Sequence, residues 1–125
     1  MISDDNTVAD YLCTMAQQTL KTLQEAVDVL AFGAHPDDVE LSAGGTLAKL
    51  ASQGKRCAIV DLTRGELGTR GSAKIREREA AASASILGLV HRENLGLADG
   101  FFEVNEDNLR LVVSAIRRLR PSVVL

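Results

Sequence analysis

The stretch Ala31-Phe32-Gly33-Ala34-His35-Pro36-Asp37-Asp38-Val39-Glu40 decides how this sequence folds and what chemistry it offers. The apolar run over residues 27–32 that leads into it predicts a buried strand. A histidine and two adjacent carboxylates follow the strand directly. An imidazole and a carboxylate suit a divalent metal of the zinc type, and a second carboxylate beside them can act as a base toward water. The pattern therefore predicts a metal site at the end of a strand.

Apolar runs alternate with helical patterns along the rest of the chain. We predict strands over residues 27–32, 57–62, 92–97 and 122–125, and helices over 6–26, 44–53, 73–87 and 106–120. This alternation predicts βαβ units, in which parallel strands are joined by right-handed crossovers. The histidine loop follows the first strand, and the glycine-rich loop 63–72 follows the second. Both loops are therefore expected at the carboxyl edge of the sheet, where such sheets bind their ligands.

Residues at the predicted helix ends fit these bounds. Ser72 and Asn105 precede helical patterns and are predicted N-caps, because their side-chain oxygens can accept the first free backbone N–H groups. Gly54 and Gly88 follow helical patterns, at the position where a left-handed residue commonly ends a helix.

Composition limits the classes of protein to consider. The 125 residues suffice for one domain with a single core. A formal net charge of −3 argues against nucleic acid or an anionic membrane as a partner. No apolar stretch approaches the roughly 18 residues of a membrane span. Cys13 and Cys57 are predicted to be free thiols in a reducing cytoplasm, so we expect a cytoplasmic protein without a disulfide.

The acidic pair also has a purely structural interpretation. Asp37 and Asp38 would be favourable at the positive end of a helix dipole, with Pro36 as the first helical residue. That interpretation explains the proline and one acid. It does not explain the preceding histidine, or why two mutually repelling carboxylates stand side by side.

The motif over residues 34–40, followed by Gly44-Gly45-Thr46, resembles the signature of the PIG-L (LmbE-like) zinc-dependent N-deacetylases. Residues 62–71 and 92–100, with the pair Arg76 and Glu79, are similar to the branch that deacetylates N-acetylglucosaminyl-malate in bacillithiol biosynthesis. The resemblance runs from residue 28 to residue 125 and implies an α/β fold, a Rossmann-like three-layer sandwich with a mainly parallel sheet. It also implies a metal-dependent hydrolase that removes an N-acetyl group from an N-acetylglucosamine conjugate.

The resemblance assigns roles to the first loop. It implies that His35 and Asp38 are the first two ligands of Zn²⁺, or of another divalent metal, and that Asp37 is the general base. The third ligand of the family is a histidine in a His-x-x-His loop soon after the strand that starts near Val123, and this chain ends at Leu125. His91, at the start of a strand, is predicted to be an ordinary solvated histidine on the wrong edge of the sheet.

Three explanations of the missing ligand stay open. The chain is a fragment, which we favour, or another chain completes the site, or the product is inactive. The leading function is therefore a zinc-dependent N-deacetylase or its N-terminal half. The alternative is a truncated, catalytically inactive binding or assembly module of the same fold. A nucleotide-binding Rossmann domain is a remote third, because the first turn lacks a G-x-G-x-x-G pattern.

Charged residues on the glycine-rich loop are candidates for substrate binding. We predict that Arg64 and Glu66, with Arg70 as a weaker candidate, contact substrate, since arginine can grip a carboxylate or sugar hydroxyls. The resemblance implies that Asp99, in an Asp-Gly turn, is a further candidate for substrate binding. Glu79 shares a helical face with apolar residues, so it is predicted to point inward and to pair with Arg76 or Arg64.

Residues 1–26 are predicted to be an N-terminal helical extension, and residues 27–125 the N-terminal part of a PIG-L-type domain. The extension carries an apolar stripe that is expected to pack on the domain or on a neighbouring subunit. The predicted partners are a small-molecule N-acetylglucosamine conjugate and further copies of the chain in a homo-oligomer. An exposed sheet edge and apolar helix faces favour such self-association.

Overall fold

The computed structural model of the chain describes residues 5–69 and 71–125. Helices and strands alternate along the described chain after a first helix. They are α1 (Asp5–Glu25), β1 (Val29–Gly33), α2 (Asp38–Ser52), β2 (Cys57–Thr63), α3 (Ala73–Leu87), β3 (His91–Leu97), α4 (Glu106–Leu119) and β4 (Val123–Val124). The predicted number and order of elements are confirmed.

The described strands form one sheet in the order β3-β2-β1-β4, and every neighbouring pair is parallel. In the central pair, Val29 lies opposite Cys57 and Gly33 lies opposite Asp61. Each connection between paired strands contains a helix, as parallel pairing requires. The prediction of an α/β fold with a mainly parallel sheet is confirmed.

Helices cover both faces of the sheet, which makes three layers. Alternate strand residues point to opposite faces, so the strands supply two apolar clusters. One cluster packs against α4 and contains Val27, Leu30, Ala58, Val60, Ala115 and Leu119. The other packs against α2 and contains Val29, Ala31, Val39, Leu47, Cys57 and Ile59. The central strands β1 and β2 are therefore buried on both sides, which explains why their sequences are apolar runs rather than alternating patterns.

Helix α2 begins six residues earlier than residue 44, where the sequence predicted it. It starts at Asp38, and Pro36 lies in the turn before it rather than in its first turn. Asp38 and Glu40 lie in the first turn, where the helix dipole favours negative charge. The structural interpretation of the acidic pair is therefore correct in part, and it leaves the side chains of His35 and Asp37 outside the helix.

The predicted caps at the other helix ends are confirmed. Ile75 N–H donates to Ser72 Oγ at 3.3 Å, and Asn108 N–H donates to Asn105 Oδ1 at 2.9 Å. Gly88 ends α3 in the left-handed conformation, and Gly54 follows α2 with a φ of 82°.

Helix α1 contacts α4, but its described apolar side chains do not pack on the domain. The side chains of residues 7–20 are exposed, and Val8, Tyr11 and Leu12 are each at least 60% accessible. Of the two predicted alternatives, packing on the domain is not observed for these residues, and packing on a neighbouring subunit stays a prediction. Within the described part of the chain, no helix combines the length and the apolar character that a membrane crossing demands.

Candidate metal centre

Three loops follow the carboxyl ends of the three longest strands and meet at one edge of the sheet. Residues 34–37 follow β1, residues 64–72 follow β2, and residues 98–105 follow β3. The backbone N–H of Thr63 donates to Ala34 O at 3.0 Å, and the Thr63 hydroxyl donates to the same oxygen at 2.9 Å, so the first two loops are joined at their roots. The prediction that the His35 loop and the glycine-rich loop share an edge is confirmed.

The first loop reverses direction within a few residues. A Cβ at Gly33 would lie 3.2 Å from the carbonyl oxygen of His35 and 3.2 Å from Val39 Cγ2, so only glycine leaves room for this turn without a shift. Asp37 has a φ of 125°, a conformation that costs a non-glycine residue energy. Because of this backbone, Asp37 and Asp38 direct their carboxylates to different partners.

His35 lies between two carboxylates. Its Nε2 is 2.7 Å from Oδ1 of Asp99, and its Nδ1 is 3.6 Å from Oδ2 of Asp38. The backbone N–H of His35 also donates to Asp38 Oδ2 at 2.9 Å, which holds that carboxylate beside the ring. Asp99 is 7% exposed, whereas His35 and Asp38 are 40% and 44% exposed. The imidazole is therefore bonded through Nε2 to a buried carboxylate, while 40% of its side chain stays exposed.

The separation of His35 and Asp38 fits a shared metal. Zinc–nitrogen and zinc–oxygen bonds of about 2.1 Å at a tetrahedral angle place the two ligand atoms about 3.4 Å apart. The observed separation of 3.6 Å is close to that value. Within residues 5–69 and 71–125, however, no group of three or more His, Cys, Asp or Glu side chains could hold a metal ion. The separation of the two side chains is therefore compatible with two ligands of one metal ion, and the described residues include no third ligand.

Asp37 faces helix α3 rather than Asp38. Its Oδ2 lies 3.8 Å from Nη2 of Arg76, and its side chain is 56% exposed. The expected pairing of Glu79 with Arg76 or Arg64 is wrong, since Glu79 is exposed and Arg76 turns to Asp37 instead. The helical face that Glu79 shares with Ile75 and Ile86 is itself solvent-exposed, so its apolar residues were a poor guide to burial.

The glycine-rich loop is tied to Asp99. Leu67 N–H donates to Asp99 Oδ2 at 2.9 Å, and Asp99 N–H donates to Glu66 Oε1 at 3.0 Å. The Leu67 N–H and then the His35 ring lower the pKa of Asp99, and the Asp99 N–H lowers the pKa of Glu66. Both carboxylates are therefore ionised at neutral pH. The hydrogen bonds of Glu66 and Asp99 thus join the glycine-rich loop to the Asp99 turn. Their predicted contact with substrate stays a prediction.

Of the two arginines predicted to bind substrate, the structure describes Arg64 but not Arg70. Arg64 is exposed and lines an open cleft of about 710 Å³, together with Pro36 from the first loop and Asn94 from β3. Its location suits the predicted role, which stays a prediction. Arg70 lies outside the described residues. A second cleft of about 410 Å³ is lined by Asp37, Glu40 and Arg76 among others. Asp37, the predicted general base, is therefore accessible from this cleft.

A largely buried charge network that the sequence analysis missed includes two residues that line the first cleft, Asp61 and Arg92. Arg92 Nε and Nη2 donate to the two oxygens of Asp61 at 2.8 and 3.0 Å, and Nη1 donates to Glu40 Oε1 at 2.5 Å. Ser83 Oγ donates to the same Glu40 oxygen at 2.8 Å. The network joins β3, β2, α2 and α3. The sequence signal for this network was the presence of a charged residue in each of two predicted strands, Asp61 in β2 and Arg92 in β3.

The network shifts the pKa values of its members. Burial raises the pKa of Asp61, and the hydrogen bonds from Arg92 only partly oppose it. Burial would also raise the pKa of Glu40, but hydrogen bonds from Arg92 and Ser83 outweigh it and leave that pKa below its ordinary value. Burial opposes the charge of Arg92, yet both carboxylates raise its pKa overall. The charged forms of Asp61 and Glu40 are therefore both stabilised by the guanidinium of Arg92.

His91 and the cysteines lie away from this edge. His91 is the first residue of β3, at the opposite end of the strand from the loops, as predicted. It is half-buried rather than fully solvated, and its Nε2 lies 3.7 Å from Oε1 of Glu93. Cys13 is exposed and Cys57 is buried, and both are free thiols as predicted.

Two curated relatives that match the chain are named as deacetylases. Uncharacterized deacetylase YaiS from Escherichia coli (strain K12) is 40% identical over 80 residues, which is 64% of this chain and 43% of YaiS. Diacetylchitobiose deacetylase from Thermococcus kodakarensis is 33% identical over 104 residues, which is 78% of this chain and 39% of that protein. The chain thus spans less than half the length of either relative.

Three solved structures share the fold. Conserved protein TT1542 from Thermus thermophilus has a TM-score of 0.74 and 46% identity, over 78% of this chain and 44% of that one. N,N'-diacetylchitobiose deacetylase from Pyrococcus horikoshii has a TM-score of 0.73 and 26% identity, over 99% and 50%. GalB, the 4-carboxy-2-hydroxymuconate hydratase from Pseudomonas putida, has a TM-score of 0.67 and 31% identity, over 77% and 45%.

The model of the PIG-L family, described as GlcNAc-PI de-N-acetylase, matches residues 30–125. The match begins within β1 and includes the His35 loop, the glycine-rich loop and the Asp99 turn. Residues 1–29 lie outside it. On this match and on the named relatives, the chain belongs to the PIG-L family.

Proposed function

We propose that this chain supplies two metal ligands and the general base of an N-deacetylase. In this proposal His35 and Asp38 bind a zinc ion, or another divalent metal, and Asp37 stays unligated. The observation that carries the proposal is the 3.6 Å separation of His35 Nδ1 and Asp38 Oδ2, with Asp37 turned aside. Membership of the PIG-L family supports the same reaction class.

A bound zinc ion would supply Lewis-acid chemistry, which acidifies water and polarises the acetyl carbonyl. In this proposal the protein's own contribution to the reaction is proton transfer by Asp37. The solvent-accessible Asp37 carboxylate takes a proton from the attacking water and returns it to the amine nitrogen as the carbon–nitrogen bond breaks. One amide and one water thereby give one acetate and one amine. Arg76 assists by drawing the Asp37 carboxylate toward α3 and away from Asp38.

The substrate in this proposal is an N-acetylglucosamine conjugate. Two of the similar proteins are named for diacetylchitobiose, an N-acetylated sugar, which supports this class. Our specific candidate is N-acetylglucosaminyl-malate, as in bacillithiol biosynthesis, with Arg64, Glu66, Arg70 and Asp99 as candidate substrate contacts. The exposed Arg64 at the cleft of about 710 Å³ is suited to the carboxylates of a malate group.

Catalytic zinc sites usually have three protein ligands. We therefore propose that activity requires a third ligand from outside the described residues, either from further sequence or from another chain. The alternative is a catalytically inactive binding or assembly module, which the absence of a third ligand among the described residues favours. Because the chain is also similar to a hydratase, hydration of a carbon–carbon double bond is a second reaction class to assay.

The experiment is an assay of acetate release from N-acetylglucosaminyl-malate and from diacetylchitobiose. It compares the 125-residue chain with the longest natural protein that contains it, and the zinc content of each is measured. We expect Asp37→Asn to lower turnover in the active form by about 10²- to 10⁴-fold with zinc retained, and Asp38→Asn to lose zinc. Asp107→Asn is the matched control for Asp38→Asn, because both are acids in the first turn of a helix. A longest form with neither zinc nor turnover would contradict the proposal.

We also propose that the chain self-associates and that it functions in the cytoplasm, as the sequence predicted. The exposed apolar side chains of α1 are the support for self-association. Light scattering of the chain with and without residues 1–26 tests this point, and an unchanged mass would contradict a role of α1. Fractionation of the producing cells tests the location.

A further inference from the structure

Asp99 has no free oxygen in the structure. Its Oδ1 bonds His35 Nε2 at 2.7 Å, and its Oδ2 accepts the backbone N–H of Leu67 at 2.9 Å. Its own N–H donates to Glu66 Oε1 at 3.0 Å. Asp99 thus accepts a bond from the Leu67 backbone N–H and donates one to the Glu66 carboxylate. With the side chain of Asp99 7% exposed, this is the environment of a residue that holds another residue in place.

The loop that carries Glu66 and Leu67 is itself fixed. Gly65 N–H donates to Thr63 Oγ1 at 3.1 Å, and Gly68 N–H donates to Gly65 O at 3.0 Å. On the other side, a Cβ at Gly100 would lie 3.2 Å from Leu67 Cδ1, so the Asp99 turn packs directly on Leu67. The position of the Asp99 carboxylate therefore follows from the conformation of this loop.

We propose that Asp99, held by Glu66 and Leu67, is a positioning residue that fixes His35 as the Nε2–H tautomer and turns Nδ1 toward Asp38. An ionised carboxylate has no proton to donate, so the hydrogen of the 2.7 Å bond belongs to Nε2 of His35. In a neutral imidazole Nδ1 then carries the free lone pair, and it lies 3.6 Å from Asp38 Oδ2. A carboxylate that fixes the ring of a metal-binding histidine also raises its basicity as a ligand.

This inference rests on the metal site of the proposed function, and it departs from the predicted contact of Asp99 with substrate. It makes Asp99 a residue that acts through His35, and Glu66 a residue that acts through Asp99. A role of Asp99 confined to substrate contact would leave the tautomer of His35 unchanged when Asp99 is replaced, so the two roles differ in this readout.

The test is the tautomer of His35 in the metal-free 125-residue chain, read from long-range proton–nitrogen-15 correlation spectra at alkaline pH. The chain has two histidines, so His91 is an internal reference. We expect a predominant Nε2–H form of His35 in the wild type and a mixture of tautomers in Asp99→Ala. Glu66→Ala should give an intermediate mixture. Glu66→Gln should restore the wild-type spectrum, because its amide oxygen still accepts the Asp99 N–H. Glu103→Ala, an exposed acid after the same turn, is the control.

The second readout is affinity for the zinc ion alone, by competition with a chromophoric chelator. We expect Asp99→Ala to weaken zinc binding by about 10- to 100-fold, with Glu66→Gln and Glu103→Ala close to the wild type. An Nδ1–H tautomer in the wild type would overturn the inference, as would Asp99→Ala with unchanged tautomer and zinc affinity. If Asp99→Ala fails to fold by circular dichroism, the pair Glu66→Ala and Glu66→Gln decides, and identical tautomers in the two variants count against it. The tautomer needs neither metal nor substrate, so this result is separable from failure of the deacetylase proposal.

Discussion

Replacing Arg92 by leucine is the change whose cost follows most directly from the structure. The guanidinium bonds both oxygens of Asp61 and one oxygen of Glu40, and the Asp61 side chain is only 3% exposed. Arg92→Leu leaves these two carboxylates without their cation. Removing one partner of a buried ion pair costs about 3–5 kcal/mol, a large part of the 5–15 kcal/mol that is typical of a domain. We expect the free energy of unfolding to fall by about that amount.

Urea unfolding followed by circular dichroism measures this loss, because the chain has no tryptophan and a single tyrosine. Arg110→Leu is the matched control, since Arg110 pairs with Glu106 on the surface, where both side chains are more than 70% exposed. Such an exposed pair contributes about 0–1 kcal/mol. Arg92→Lys keeps the charge but not the two-pronged bond, so it should fall between the two. Equal losses in Arg92→Leu and Arg110→Leu would contradict a larger contribution from the buried ion pairs of Arg92.

The loss in Arg92→Leu should also depend on pH. Burial holds the pKa of Asp61 above its ordinary value of 3.8 even with Arg92 present, and without Arg92 nothing comparable opposes burial. A group whose pKa is raised in the folded state contributes full stability below its unfolded pKa and loses it as the pH rises through the folded pKa. The deficit of the variant should therefore shrink as the pH falls from 7 toward about 4. A deficit that is constant over this range would contradict the assignment.

Three further predictions concern a turn, a cap and the thiols. Gly65→Ala puts a methyl group against Nη1 of Arg76 at a φ of 63°, so we expect a loss of about 1–2 kcal/mol in urea unfolding; an unchanged midpoint would contradict it. Asn105→Ala removes the cap of α4 and should cost about 1 kcal/mol, against no loss if the cap bond is unimportant. In titration with Ellman's reagent, the exposed Cys13 should react quickly. Cys57, buried and with its pKa raised by burial and by Asp28, should react only on unfolding, and two equally fast thiols would contradict this burial.

The strands and the shared edge of the two loops could be predicted because they depend on local patterns. The apolar runs of β1 and β2 reflect burial on both faces of a parallel sheet, and this periodicity is readable in one sequence. Once the strands are parallel, the loops after them must lie at one edge. The His35 loop and the glycine-rich loop were therefore placed together without knowledge of any long-range contact.

The contacts within the site could not be predicted in the same way. The bond from His35 to Asp99 spans 64 positions, and the ion pair from Arg92 to Glu40 spans 52. Such pairs depend on how helices pack on the sheet, which sequence spacing does not encode. Glu79 illustrates the converse error, because helical spacing placed it on an apolar face that the structure leaves in solvent.

The proposed function depends on a divalent metal that His35 and Asp38 share and that Asp37 does not touch. Anomalous diffraction at the zinc edge, from zinc-soaked crystals of the longest natural protein that contains the chain, measures the position of the metal. We expect a peak at about 2.0–2.2 Å from Nδ1 of His35 and from a carboxylate oxygen of Asp38, with Asp37 unligated. A zinc peak on Asp37 in place of Asp38, or zinc bound elsewhere with His35 and Asp38 turned apart, would contradict it.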